Sequence, residues 1–317
     1  MKVRNGFSRS ELLVVLVCLL VSLVCFAGIS ERGRNRAKEI ICMSHMKVLA
    51  RAYQEYADDN RGRFCSGFVR ANPDQVFPDG SKHDPPEWCR PPISIRIRND
   101  NEIYSYAGYN PTQKHRLNGI REGALYTYIN NTEVYHCPGD ERWYKGTILG
   151  PPPKYGMYRS YVMPDFYFVW DDYDEDDDAP GPARFENEKK ITNVKPPSEK
   201  YTFLESNFPG DSEAAFEKQG WSYEPYTGVY WDPLGAFHNR AATFSFADGH
   251  VEIYKYEDER TWIFCRDRNL ATLMGFGLRQ LQDNPRNPDQ IWLDSHYPGE
   301  YQFKGGQDSP RIFDIGE

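Results

Sequence analysis

An apolar run near the start of the chain limits its fold more than any other feature. Leu12 to Ile29 passes without a charge, 18 positions in all. At about 1.5 Å per helical residue, that approaches the minimum for crossing a bilayer core. A secretory signal would have a shorter apolar region ending in small residues. This one leads through Ala27, Gly28 and Ile29 into Arg32, Arg34, Arg36 and Lys38. A retained transmembrane helix is the expectation. Lys2, Arg4 and Arg9 precede the run, so basic residues flank both ends and charge alone does not orient it. The polar mass lies C-terminal, which puts the N-terminus in the cytoplasm and the body outside. Glu11 is the odd element, because a charge near the lipid core costs about 2.5–3.5 kcal/mol.

A basic leader ends in Gly6, Phe7 follows, and Glu11 is the fifth residue counted from Phe7. This arrangement resembles the type IV pilins and type II secretion pseudopilins. The resemblance implies cleavage between Gly6 and Phe7 by a prepilin peptidase and N-methylation of Phe7. It also implies that Glu11 is the assembly carboxylate, neutralising the terminal amine of a neighbouring subunit. A buried carboxylate is tolerable when paired with an ammonium. Arg9 and Ser10 stand where the family has small or apolar residues, and its mid-span proline is absent.

The likeness continues past the run. Ile41, Val48, Leu49, Ala52, Tyr53 and Tyr56 recur at helical spacing. Asn60 and Gly62 supply stop signals. A helix from Phe7 to Asp59 would be roughly 80 Å long. Three further blocks are "VYHCPGDER" (134–142), "RSYVMP" (159–164) and "FHNRAATFSFADGHVEIYKY" (237–256). The last, with His238 and Asp248-Gly249, is similar to the H-x9-DG signature of a prepilin-type group common in planctomycete-type bacteria. The fold so implied is α+β, a long N-terminal transmembrane and amphipathic helix packed on an antiparallel β-sheet head with large loop insertions. Its divisions are a leader (1–6), a membrane half of the helix (7–30), an amphipathic half (31–61), a β head (62–256) and a C-terminal extension with a short helix and a wrapping tail (257–317).

The function so implied is a pseudopilin or minor pilin of a type II secretion or type IV pilus-like system. Its partners would be the prepilin peptidase, other pilin-like subunits, the secretion platform and the inner membrane. The protein would be single-pass, with its head periplasmic or at the cell surface. A static membrane-anchored binder of polysaccharide or protein is the alternative. Net charge is −8, so nucleic acid is not an expected partner, since binding it takes concentrated Lys and Arg. No G-x-S-x-G, Walker or H-E-x-x-H pattern occurs, and an enzyme is not expected.

Of seven cysteines, Cys18 and Cys25 lie in the apolar run, leaving Cys42, Cys65, Cys89, Cys137 and Cys265. An odd number allows at most two bridges. Cys65 with Cys89 would close a proline-rich loop, and Cys42 with Cys137 would tie helix to head, though connectivity stays open. No C-x-x-C pair supports zinc, and no metal or cofactor is expected beyond a weak calcium candidate. That candidate is the acidic stretch from Asp171, with Asp174, Asp176 and Asp178 as ligands. It holds seven acids in eight residues and reads first as a solvated loop.

Within the head, 66–125 reads as irregular, "GALYTYI" as a short helix or strand, and "VYHCPGDE" as a strand ending in a turn. Arg159–Trp170 and "KYTFLES" read as strands. Ala241–Ala247 and His250–Tyr256 read as a hairpin with a type I′ turn at Asp248-Gly249. One of its faces is apolar enough to lie on the rod helix. His238, Asp248 and Gly249 are taken as structural: the turn, and an anchor that bonds a neighbouring loop where the first strand begins. Asn269–Gln282 reads as an amphipathic helix.

Overall fold

The computed structural model describes residues 8–67, 69, 86–98, 101–106, 112–142, 158–164, 190–207, 221, 223–224, 229–230, 232–267, 270, 273–274 and 287–298. Within them, the side chains of 25–32, 94–106, 224 and 229–230 also fall outside the description.

Helix α1 runs Arg9–Asp59, 51 residues, or about 76 Å of rise. It starts at a capping box that sequence reading passed over, the S-x-x-E signature of Ser8 and Glu11. The Ser8 N–H donates to the Glu11 carboxylate at 2.8 Å, and the Glu11 N–H donates to Ser8 Oγ at 3.3 Å. It ends at Asn60, where Arg61 and Gly62 take positive φ (60° and 82°) and the Gly62 N–H bonds back to Ala57 O at 2.7 Å. Such a left-handed cap satisfies carbonyls the last turn leaves open.

The two halves of α1 differ in surroundings. Leu12 to Val24 presents apolar side chains to solvent, its Leu and Val residues 47–72% exposed. Among the described residues no helix is long and apolar enough to cross a membrane. The described apolar side chains run from Leu12 to Val24, about 20 Å of rise, and those of Cys25 to Ile29, the rest of the predicted span, lie outside the description. In the other half Cys42, Met46, Leu49, Tyr53 and Tyr56 are buried, a 4-3-4-3 spacing that keeps one stripe against the head. The expected stripe is thus rotated. Ile41 and Val48 stay exposed, and Cys42 and Met46 take the inward face.

In the region predicted as irregular, the described residues form regular elements. Strands β1 (Ile93–Arg98) and β2 (Asn101–Tyr106) form an antiparallel hairpin. Helix α2 (Gln113–Arg121) follows, capped by Thr112, and then α3 (Tyr126–Ile129). Thr132–Tyr135 is a 3-10 turn rather than a strand, started by Asn131 Oδ1 accepting from the Glu133 N–H. Gly119 and Gly123 pass so close to the Trp88–Pro91 backbone that a Cβ on either would lie within 2.2–2.3 Å of it. Close approach, not turn geometry, fixes those two glycines.

The main sheet joins β3 (Tyr161–Val162), β4 (Tyr201–Glu205), β7 (Ala241–Phe246) and β8 (Val251–Lys255) in that order, all antiparallel. Between β4 and β7 in the chain, β5 (Tyr223–Glu224) and β6 (Val229–Tyr230) make a separate small ribbon. The fold is therefore α+β, as expected. Of the predicted strand Arg159–Trp170 only Tyr161–Val162 is strand among the described residues. A register shift at Thr202 divides β4. Phe203 and Glu205 then point to the α1 side while Tyr201 joins Leu204 on the other, the re-aiming a bulge produces. Phe203 meets Tyr53 of α1 and Trp88 edge-on, with ring centroids 5.8 and 5.2 Å apart.

The opposite face is closed by C-terminal elements. After α4 (Glu259–Arg266), α5 (Pro288–His296) begins at an Asn287 cap with Pro288 in its first turn, a favoured start. Trp292 lies against Phe244 at 4.9 Å and stacks on Tyr254 at 4.1 Å. The apolar face of β7, Ala242, Phe244 and Phe246, therefore lies under α5. Its other face, with Thr243 and Ser245, is the one that meets α1, which corrects the expected packing. Of the predicted helix Asn269–Gln282, only Leu270, Leu273 and Met274 are described.

The β7–β8 connection is also not a type I′ turn. It has three residues, Ala247-Asp248-Gly249. The Gly249 N–H donates to Phe246 O at 2.9 Å and the Phe246 N–H to His250 O at 3.0 Å. Only Gly249 has positive φ, 86°, so this is a turn followed by a left-handed glycine, the three-residue hairpin pattern. The extra residue shortens the strands to Ala241–Phe246 and Val251–Lys255.

Candidate functional site

Four side chains from four distant segments meet where α1 joins the head. Cys42 comes from the inward stripe of α1. Cys137 follows the Thr132–Tyr135 turn. Glu205 ends β4 on the helix side, and His238 precedes β7. All are buried, none more than 3% exposed. One donor atom from each, two sulfurs, an imidazole nitrogen and a carboxylate oxygen, lies within 4.8 Å of every other. Cys42 Sγ is 2.9 Å from Glu205 Oε1, His238 Nε2 is 3.1 Å from that oxygen, and Cys137 Sγ is 3.3 Å from His238 Nε2.

Local structure explains the convergence. Cys137-Pro138-Gly139-Asp140 is a turn closed by the Asp140 N–H on Cys137 O at 2.9 Å. Arg142 holds Asp140 with two bonds of 2.9 and 2.6 Å, and Ser160 Oγ donates to Asp140 Oδ2 at 2.6 Å. Fork geometry of this kind fixes a loop well. Gly139 lets the turn approach the next segment, since a Cβ there would sit 2.8 Å from Phe237 O and 3.3 Å from His238 Cε1. His238 is set by a tight turn in which the Ala241 N–H donates to His238 O at 2.7 Å and Arg240 takes φ 59°. The three sequence blocks that carried the family likeness after the helix thus meet at one place.

Donors surround the cluster. The Thr243 N–H bonds Glu205 Oε2 at 2.9 Å, the Gly139 N–H bonds Cys137 Sγ at 3.3 Å, and Tyr161 Oη donates to Cys42 Sγ at 3.3 Å. Burial pushes the Cys137 thiol and the Tyr161 hydroxyl well up. Burial also works against a charged imidazole, yet hydrogen bonds to Cys42 and Glu205, with the Glu205 charge, raise His238 to about 10. A donor set so enclosed suits holding an ion or fixing a joint better than turning over a substrate, which needs access.

The other predicted residues separate from this cluster. Asp248 and His250 pair at the hairpin tip, 2.6 Å apart and more than a third exposed. Burial there pushes the Asp248 carboxyl up, but the bonds from the His250 N–H and ring and the His250 charge together outweigh it and hold the carboxyl below its ordinary range. Cys65 and Cys89 lie on adjacent segments bridged at Ser66 and Glu87, with Cys89 Sγ accepting from Arg159 Nη1 at 2.7 Å. Cys18, Cys42, Cys65, Cys137 and Cys265 are free thiols in this structure. Glu11 is exposed and serves the helix cap. Gly6, Phe7, Asp174, Asp176 and Asp178 lie outside the described residues.

Sequence reading missed Glu205 altogether, because a carboxylate at a strand end carries no spacing signal toward three partners 33 or more residues away. It paired Cys42 with Cys137 and gave His238 a neighbouring loop, but did not bring the two readings together. Comparison of the chain with family models, with curated proteins and with solved structures found no match.

Proposed function

We propose that this protein is a pilin-like subunit, a pseudopilin or minor pilin, anchored in the inner membrane and assembled through α1. The observation that carries the proposal is the division of one uninterrupted helix. Its second half is built into an α+β head, and its first half offers Leu12 to Val24 on every side with nothing among the described residues to cover it. A helix apolar all round needs lipid or other helices around it. In sequence the uncharged run continues to Ile29. The leader ending in Gly6, the position of Glu11 and the H-x9-DG block support the same reading.

The capping box gives Glu11 a local role that does not conflict with an assembly role. A Glu at this position satisfies the Ser8 N–H within its own helix. Its charge remains available to a neighbouring amine once subunits bundle. The test is N-terminal mass spectrometry of protein extracted from native membranes. A chain beginning at methylated Phe7 is expected. A chain that always begins at Met1, in cells that hold the peptidase, would overturn the proposal and favour a static membrane-anchored binder.

A further inference from the structure

The buried cluster poses a problem of its own. Two thiols, an imidazole and a carboxylate in one enclosed site are expensive to desolvate. A chain needing only to fix α1 on the head would do so at lower cost with apolar contacts. A disulfide between Cys42 and Cys137 would use the two sulfurs alone, leaving Glu205 and His238 without a reason to converge on them. All four groups are accounted for together if they share a cation.

We propose that Cys42, Cys137, Glu205 and His238 bind a zinc ion that locks α1 to the head. The donors number four, two sulfurs, one nitrogen and one oxygen, which matches the four-coordinate preference of zinc and its usual ligand types. From zinc–ligand distances of about 2.0–2.3 Å, the edges of such a tetrahedron are about 3.4–3.8 Å. The separations of 2.9, 3.1 and 3.3 Å would open by about 0.2–0.7 Å and the rest lie within 4.8 Å, so modest side-chain adjustments bring all four donors to zinc distances. Coordination replaces the thiol protons and any imidazolium proton, which leave to solvent. Two thiolates, a carboxylate and a neutral imidazole around a dication carry one net negative charge.

The surroundings suit that charge. The N–H groups of Gly139 and Thr243 and the hydroxyl of Tyr161 point at Cys137 Sγ, Glu205 Oε2 and Cys42 Sγ, the outer-shell donors that orient metal ligands. With four protein ligands and full burial the site has no open position, so the zinc is structural. Cys42 is the α1 member, and the other three ligands come from the head. The ion therefore cross-links the proposed assembly helix to the body it carries. It also gives the His of the H-x9-DG block a task distinct from that of Asp-Gly at the far end of β7.

The test uses the full chain extracted in detergent, and its readout does not depend on N-terminal processing. Elemental analysis should find one equivalent of zinc. Cys42 and Cys137 should resist alkylation until a strong chelator is added, and Co2+ loaded afterwards should give the intense visible absorption of a four-coordinate thiolate site. Cys137→Ser should lose the metal, while His238→Cys, which keeps four donors, should retain it. The wild-type measurements decide the matter even if a variant fails to fold. Wild-type chain that holds no zinc and takes up neither zinc nor cobalt after reduction would overturn the proposal. So would non-reducing peptide maps that show Cys42 bonded to Cys137.

Discussion

Replacing Gly249 tests how the head is held on the helix. Its φ of 86° is costly for any residue with a Cβ. A left-handed conformation costs an L-residue about 1–2 kcal/mol, and a β-branched side chain sits at the upper end or beyond. The added Cβ would also meet the Gln54 side chain at 3.0–3.3 Å. Gln54 Nε2 donates to Ala247 O at 3.0 Å, so α1 and the hairpin are tied at that point, and pushing Gln54 away loses a bond worth about 1 kcal/mol. Gly249→Val should therefore destabilise the head by about 3 kcal/mol, a fall in Tm of roughly 6–12 °C for a domain of this size. Gly249→Ala should cost about half as much, since it keeps the φ penalty and can nudge the flexible amide aside. Gln54→Ala should cost about 1 kcal/mol alone, and added to Gly249→Val it should cost less than the sum, because the crowding is gone. Full chain in detergent, followed by emission of the buried Trp88 and Trp221 during heating, provides the assay. If Gly249→Val melts no lower than Gly249→Ala, or the double variant is fully additive, the turn and the contact with α1 have been misjudged.

Three further outcomes follow from particular contacts. Glu11→Gln should leave helix content and the N-terminus intact, because Gln also completes a capping box, yet abolish filament incorporation if the carboxylate charge pairs with a neighbour; pull-down of assembled subunits alongside circular dichroism separates the two roles. Asp258 caps α4 and is bonded by Arg260, which holds its carboxyl below the ordinary range against the opposing effect of burial. Asp258→Ala should cost about 1 kcal/mol at neutral pH. Because the folded carboxyl is depressed, its contribution is present above the unfolded value near 3.9 and fades as pH falls through the folded one, so variant and wild type should converge in acid unfolding curves. Trp292→Ala should uncover Phe244 and Tyr254 and cost about 3 kcal/mol, read as a lower denaturant midpoint with unchanged secondary structure.

Local signals in the sequence were sufficient for local features. The 18-residue uncharged run and the stop at Asn60 and Gly62 define a long helix because periodicity and capping act within a few residues. "KYTFLES" and the Asp-Gly block read as strands and a hairpin for the same reason. Where the reading failed, the deciding contact was remote. Ile41 and Val48 are as apolar as Met46, and only the head decides which of them faces inward. The turn at Asp248-Gly249 gained a residue because Ala247 belongs to the loop, and its carbonyl is held by Gln54, 193 positions away. The β1–β2 hairpin was legible and was overlooked, since Ile93, Ile95 and Ile97 alternate strictly with Ser94, Arg96 and Arg98.

The sequence by itself determined that an apolar helix leads into an aromatic-rich α+β head, since hydrophobic spacing and turn chemistry are properties of neighbouring residues. It also set out separate chemical parts, two cysteines and one motif histidine, but not the glutamate that joins them. Only the tertiary structure decided that these parts share one buried site. The bulge at Thr202 turns Glu205 toward α1, the 4-3-4-3 stripe turns Cys42 toward Glu205, and Gly139 lets Cys137 reach His238. Each of those orientations comes from packing between segments far apart in the chain, where short-range patterns carry no information.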